Sequence, residues 1–213
     1  MIKKNKRKLL ISSIIILLPV IAGLILWDRL PERMATHWGI TGAADGFSSK
    51  PFAVFAMPLF VLAVHWICVI ITAADPKNKR QTKKVIGLIF WFCPVISLFA
   101  SAAIYAAAFG MDFGINILLP VVIGLAFVII GNYLPKCKQN YTVGIKVIWA
   151  LENEENWNAT HRFGGRVWVI GGVLLMLCAF LPKAVMYYAL IALLTLLVII
   201  PVIYSYVYYR KQS

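Results

Sequence analysis

Three histidines and four cysteines are the side chains of widest chemical reach in this 213-residue chain. His37 lies near Asp28, Glu32 and Asp45, which are donors that suit a divalent cation. A single imidazole without fixed ligand spacing is a weak metal signature, so no metal is expected. His161 stands in Thr160-His161-Arg162, a polar run suited to a ligand or a partner. No nucleophile, base and orienting group can be read around it, so hydrolysis is not expected. His65 falls inside a long apolar run and reads as a neutral histidine bonded to a neighbouring helix. Cys68, Cys93 and Cys178 also lie in apolar runs and Cys137 lies beside one. There is no CxxC and no Cys/His spacing for zinc, and no cysteine falls where an oxidising compartment would pair it. HExxH, paired intramembrane aspartates and a buried carboxylate relay are all missing from the sequence. Intramembrane proteolysis and proton-coupled transport are therefore not expected.

The elements that must hold these residues follow from composition. The chain is 62% hydrophobic and 14% charged, with a mean hydropathy of +0.83. Soluble domains are about half apolar and about a quarter charged, so a water-soluble enzyme is excluded. A disordered chain is excluded as well. About 20 apolar residues cross a bilayer as a helix. Six stretches qualify: Leu9–Trp27, Phe52–Ala74, Val85–Phe109, Ile115–Leu134, Phe163–Leu181 and Ala184–Tyr209. Barrel alternation is absent from them, so the fold class is all-α, a polytopic bundle of six transmembrane helices forming a single membrane domain over 1–213. The first span has a basic start but no small-residue cleavage site after it, which favours a retained signal anchor. Pro19, Pro58, Pro94, Pro120 and Pro201 fall within five of the spans, where proline is tolerated. The small residues from Ala100 to Ala108 in the third span read as bundle packing.

Charge gives the orientation. Lys3, Lys4, Lys6, Arg7 and Lys8 precede the first span, and Lys77, Lys79, Arg80, Lys83 and Lys84 follow the second. Lys136, Lys138, Lys146, Arg162 and Arg166 follow the fourth, and Arg210 and Lys211 end the chain. The alternate side holds only Arg29, Arg33, Lys50 and Lys183, while the acids divide four and four. The positive-inside rule puts both termini in the cytoplasm and the whole net charge of +13 on the inner face. Anionic lipid and topology account for that charge, so nucleic acid is not an expected partner.

Two loops carry the remaining information. The extracellular loop, 28–51, is broken by Pro31, Gly39, Gly42 and Gly46. Met34, Thr36, Trp38 and Ile40 suggest a short extended piece, and Asp45-Gly46 suggests a turn. Met34, Trp38, Ile40 and Phe47 are apolar residues able to rest on lipid or receive an apolar ligand. The cytoplasmic loop, 135–166, begins with an extended or interfacial part, Tyr141–Trp149, broken at Gly144. Asn153 then reads as a helix N-cap with Glu154 and Glu155 in the first turn. Trp157, Thr160, His161, Gly164 and Trp168 share one face, with Arg162 and Arg166 on the other. That pattern predicts an interfacial amphipathic helix, anchored by Trp149 and Trp157, running into the fifth span. The tyrosines at 204, 206, 208 and 209 read as an aromatic belt.

Gly131-Asn132, Asn140, Gly144-Ile145-Lys146, Trp149, Leu151, Glu155, Trp157, Thr160-His161-Arg162 and Gly172 together resemble the SdpI family of bacterial immunity proteins. Leu30-Pro31, His37, Gly42, Asp45-Gly46, Ser49-Lys50 and Pro58 resemble a domain of unknown function often fused before it. One departure stands out: the family usually has Gly-Ile-Arg where this chain has Lys146, which lacks the planar fork of arginine. The resemblance implies a multi-pass plasma-membrane protein that protects its host from a membrane-active toxin without catalysis or cofactor. It also implies a link to signalling. The expected partners are lipid, a hydrophobic peptide toxin and a cytoplasmic regulator. The ligand- or partner-binding candidates are Pro31, His37, Trp38, Gly42, Asp45 and Lys50 outside, and Asn140, Gly144, Lys146, Trp149, Trp157, Thr160, His161 and Arg162 inside. A receptor that senses the toxin and a small transporter are the competing readings.

Overall fold

A computed structural model describes residues 1–39 and 42–212, with Lys79 and Arg80 described by their backbone only. Ile40 and the charged groups of Lys79 and Arg80, used in the sequence reading, therefore lie outside the described residues. Among those residues six helices are long and apolar enough to cross a membrane. The elements run α1 Lys6–Ile25, β1 Arg33–Trp38, β2 Ala44–Ser49, α2 Met57–Ala74, α3 Lys83–Ala108, α4 Ile115–Tyr133, α5 Ile148–Glu152, α6 Glu154–Leu177 and α7 Lys183–Gln212. The helical membrane bundle expected from composition is what forms, with one small antiparallel hairpin added. The chain makes two compact units, one of residues 1–73 and 87–115, the other of residues 74–86 and 116–213.

In the first unit, hydroxyls on α3 tie that helix to α1. Ser97 donates to the Ile16 carbonyl at 2.9 Å and Tyr105 to the Pro19 carbonyl at 2.6 Å. In an apolar surround such bonds replace those that water would make. His65 on α2 is fully buried, and its Nε2 lies 2.9 Å from Ser12 Oγ on α1, the neighbouring-helix bond its place in the sequence predicts. A wide π turn, Phe52–Ala56, leads into α2. Met57 N–H reaches back to Phe52 O there, just ahead of Pro58, which has no N–H to give.

The hairpin corrects the loop reading in two places. Asp45 and Gly46 lie within β2, and the reversal falls earlier: Gly42 has φ +75°, and Gly39 exchanges bonds with Gly42 and Ala43. Gly42 is required because a left-handed residue closes the reversal. Gly46 sits opposite His37, where the register is irregular. Met34 is buried against Leu30, Ala53, Val54 and Ile104, so it holds the hairpin down and does not meet a ligand. Of the described members of that apolar set, Phe47 is exposed and Trp38 is half-buried.

In the second unit α6 approaches two helices at once, and the sequence shows how. Gly164-Gly165 and Gly171-Gly172 recur seven residues apart, two helical turns, so the pairs stack along α6. A Cβ at Gly165 or Gly172 would run into the Gly131 and Gly124 carbonyls of α4. A Cβ at Gly171 would meet Leu197 of α7, and one at Gly164 would meet Ile145 first and then Pro201 of α7. Each doublet thus gives one glycine to each neighbour. Trp168 fills in between, donating to the Leu197 carbonyl at 2.8 Å with its ring edge-on to Phe127 at 5.0 Å. Phe163 stacks on Tyr204 at 4.1 Å, so that tyrosine packs between α6 and α7.

Candidate functional site

The candidate residues of the 135–166 segment form a folded knot within the second unit. Residues 137–147 are irregular, and the extended piece expected over Tyr141–Trp149 is instead a coil followed by α5. Asn140 organises the coil. Fully buried, its Oδ1 accepts from the Thr142 and Val143 N–H groups at 2.8 and 2.6 Å, and its Nδ2 donates to the Lys138 and Val143 carbonyls at 2.8 Å each. Both N–H donors of the amide and both lone pairs of its oxygen are therefore occupied. From the other side Asp75 accepts from Lys77 N–H and Tyr141 N–H and from the Thr142 hydroxyl. Gln81 bonds Lys138 in both directions, through Nε2 to its carbonyl and Oε1 from its N–H.

The helical side of the knot is Trp157 and His161, one turn apart on α6. As expected they share the buried face, while Arg162 and Arg166 are exposed. The expected anchoring role of Trp157 is corrected: it is fully buried, and its indole N–H donates to Cys137 O at 2.8 Å. An interfacial tryptophan would keep one edge in the headgroups; this one is sealed by Val85, Cys137 and Ala150. α6 itself is continuous from Glu154, capped by Asn153 Oδ1 accepting from Asn156 N–H at 3.0 Å. His161 stacks on Trp157 with ring centres 4.0 Å apart. Its Nδ1–H donates to Trp157 O at 2.8 Å, which leaves Nε2 to accept from Ile145 N–H at 3.0 Å. With one nitrogen donating and the other accepting from a backbone N–H, the ring is neutral.

Gly144 makes that contact feasible. Its φ is +115°, and a Cβ there would strike His161 Nε2. Thr160 turns inward too, donating to Asn156 Oδ1 at 2.8 Å. Asn156 accepts in addition from the Ser205 hydroxyl at 2.7 Å and donates to the Ser205 carbonyl at 3.0 Å, clamping α6 to α7. Thr160, His161 and Arg162 therefore do not converge: two are consumed inside and one faces out. Lys146 is exposed, and Trp149 packs edge-on to Tyr206 and stacks on Tyr209. Burial pushes the Cys137 thiol up, against hydrogen bonds from Gln81 and Asn140 that draw it down. All four cysteines are free thiols.

In the first unit, Lys50 is buried and donates to the Leu30 and Trp27 carbonyls at 3.2 and 3.3 Å. It also pairs with exposed Glu32 at 2.8 Å and lies over the Trp27 ring. It fixes the base of the hairpin. His37 pairs with Asp45 across the strands on the exposed face, and Pro31 is exposed before β1. No group of three or more potential metal ligands occurs among the described residues.

Sequence reasoning missed Asp75, Gln81, Asn156 and Ser205. Asp75-Pro76 was readable as a helix start, since Asp caps and Pro suits the first helical position; Asp75 does cap the turn Pro76–Arg80. Ser205 offered no local signal, because its role depends on packing with Asn156.

These features define a polytopic six-helix membrane protein with a clamped interhelical loop and a pinned hairpin. Residues 136–205 match the SdpI/YfhL protein family, and residues 14–62 match a domain of unknown function, DUF1648. Through these two segments the chain resembles the SdpI/YfhL family, with a DUF1648-like segment ahead of it. It is 25% identical over 207 residues to the immunity protein SdpI of Bacillus subtilis (strain 168), an alignment covering 97% of this chain and 98% of that protein. No solved structure matches. With its six apolar helices, this kinship makes the chain a multi-pass protein of the bacterial plasma membrane.

Proposed function

We propose that this protein confers resistance to a membrane-active peptide toxin by binding it, without catalysis. The observation that carries the proposal is the end-to-end similarity to an immunity protein. The knot adds support, because its polar groups satisfy one another and leave no nucleophile or general base aimed at a substrate. The partition of lysine and arginine supports a topology with both termini in the cytoplasm, the hairpin outside and the clamped loop inside. An arriving toxin then meets the hairpin first. Expression in a toxin-sensitive strain, challenged with a panel of membrane-active peptides, tests the reading. Raised survival against at least one peptide is expected, and survival equal to empty vector across the panel would refute it.

A second reading is favoured by the outward residues of the clamped loop. Tyr141, Lys146, Ile148 and Arg162 are exposed on a segment whose backbone is tied down. A fixed surface of this kind suits a cytoplasmic regulator. Arg162→Ala with Lys146→Ala should abolish capture of such a regulator while leaving protection intact. Loss of both together would mean that binding and signalling are one step.

A further inference from the structure

The first unit holds a cleft of about 320 Å³ between the hairpin and the end of α3. Ala103 and Ala107 form part of its wall from α3, Trp38 lines it from the hairpin, and Met111, Asp112 and Phe113 line it from the segment after α3. Ligand pockets run from roughly 300 to 1,000 Å³, so this one holds one or two large side chains and not a folded partner. Both α3 residues of this wall are alanines, so α3 sends no side chain beyond Cβ into the cleft from these positions.

The charge of the lining is one-sided. Among the described residues Asp112 is the only ionised one that lines it, and no lysine or arginine does. Asp112 Oδ1 accepts from Gly114 N–H at 2.8 Å, which holds the carboxylate in place and leaves its second oxygen for a ligand. Trp38 also lines the cleft, and an aromatic ring and a carboxylate in one cleft both favour a cationic ligand. Apolar walls with a single anionic group complement a chain segment that carries an apolar side chain next to a positive charge.

We propose that this cleft is the capture site and that it takes a lysine- or arginine-bearing apolar stretch of a peptide, the basic group at Asp112 and the apolar side chain against Ala103, Ala107 and Trp38. The assignment rests on the immunity reading for its biological setting, and on the cleft's own chemistry for its ligand. It gives the hairpin a function: Lys50 and Met34 hold its base in place, and the hairpin presents Trp38 as one wall.

The test uses the full chain in phosphatidylcholine nanodiscs and a fluorescein-labelled hexapeptide amide of alternating Phe and Lys, read by anisotropy. A Phe/Glu hexapeptide is the control. Saturable binding of the lysine probe is expected, with none of the glutamate probe above empty nanodiscs. Asp112→Asn keeps the acceptor for Gly114 and removes only the charge, so it should weaken binding about fivefold while the melting profile stays unchanged. Ala107→Leu should weaken it at least about tenfold by filling the wall. Absence of saturable binding to the native protein, equal binding of the two probes (a lipid-like apolar slot), or binding by both variants as tight as the native protein's would overturn the assignment. Survival assays separate the two layers. Protection that persists in both variants refutes the cleft and leaves immunity standing. Probe binding without any protection refutes immunity and leaves the cleft standing.

Discussion

Gly144→Ala is the sharpest perturbation the knot offers. The residue sits at φ +115°, where an L side chain is strained by about 1–2 kcal/mol. Its new methyl would also displace His161, breaking the Nε2 bond to Ile145 N–H and disturbing the stack on Trp157. Each of those contributes about 1 kcal/mol. The total is about 3 kcal/mol against the closed loop, a rise of roughly a hundredfold in the opened population. Cys137 is a built-in reporter, being buried under the loop with its backbone carbonyl held by Trp157. In a protein with Cys68, Cys93 and Cys178 replaced by alanine, labelling of Cys137 by a water-soluble maleimide should accelerate by that factor. The cycle with His161→Ala isolates the contact. In that background Gly144→Ala should cost only the backbone strain, leaving a coupling of about 2 kcal/mol. Unchanged labelling in Gly144→Ala, or costs that add within about 0.4 kcal/mol, would refute the claim that Gly144 exists to admit the imidazole.

Three further outcomes follow from the same geometry. Gly172→Ala places a Cβ 2.5 Å from Gly124 O and should destabilise the protein in detergent by about 2 kcal/mol, whereas Gly87→Ala, with open space around it, should be neutral or stabilising in the same thermal-melt assay. Lys50→Met removes the bonds to Leu30 and Trp27 and should loosen the hairpin by about 2 kcal/mol, read as faster proteolysis between β1 and β2. Because burial raises the Cys137 pKa, the closed loop favours the protonated thiol; its stability should hold below the ordinary thiol range and fall as pH rises through the raised value, a fall that Cys137→Ala abolishes in hydrogen exchange of the loop amides.

The spans were legible because twenty-residue apolar runs have few alternatives in a bilayer. Phe52–Ala74 is read directly, and the others shift by only a few residues, except that α6 starts at Glu154, well before the expected Phe163. The N-cap at Asn153 and the buried face of α6 were legible for a similar local reason, since both follow from spacing along one helix. The hairpin's reversal was misplaced because Asp-Gly and Gly-x-x-Gly are both turn signals, and only the pairing of His37 with Gly46 decides between them. Trp157 was misread because amphipathic spacing cannot say whether a polar-apolar face meets headgroups or another loop of the same chain. The glycine doublets of α6 stand in the sequence at a two-turn spacing, but the small residues of α3 give an equally strong compositional signal. Closest approach is set by paired backbones, which composition alone does not show.

The residues that carry the family resemblance divide by where their polar atoms point. Asn140, Gly144, Trp157, Thr160 and His161 are spent on one another and on Asn156, Cys137 and the loop backbone. A ligand could reach them only by breaking bonds that the loop already makes, at about 1 kcal/mol or more each. They specify a shape, and the recognition proposed above falls to residues outside the knot's bonds: Lys146 and Arg162 in the 135–166 segment, and Trp38 of the hairpin with Asp112 after α3. On this argument the substitution of lysine for the family's arginine at position 146 changes a surface and leaves the knot intact. Lys146→Arg should therefore leave Cys137 protection unaltered, and any change it causes should appear in partner capture alone.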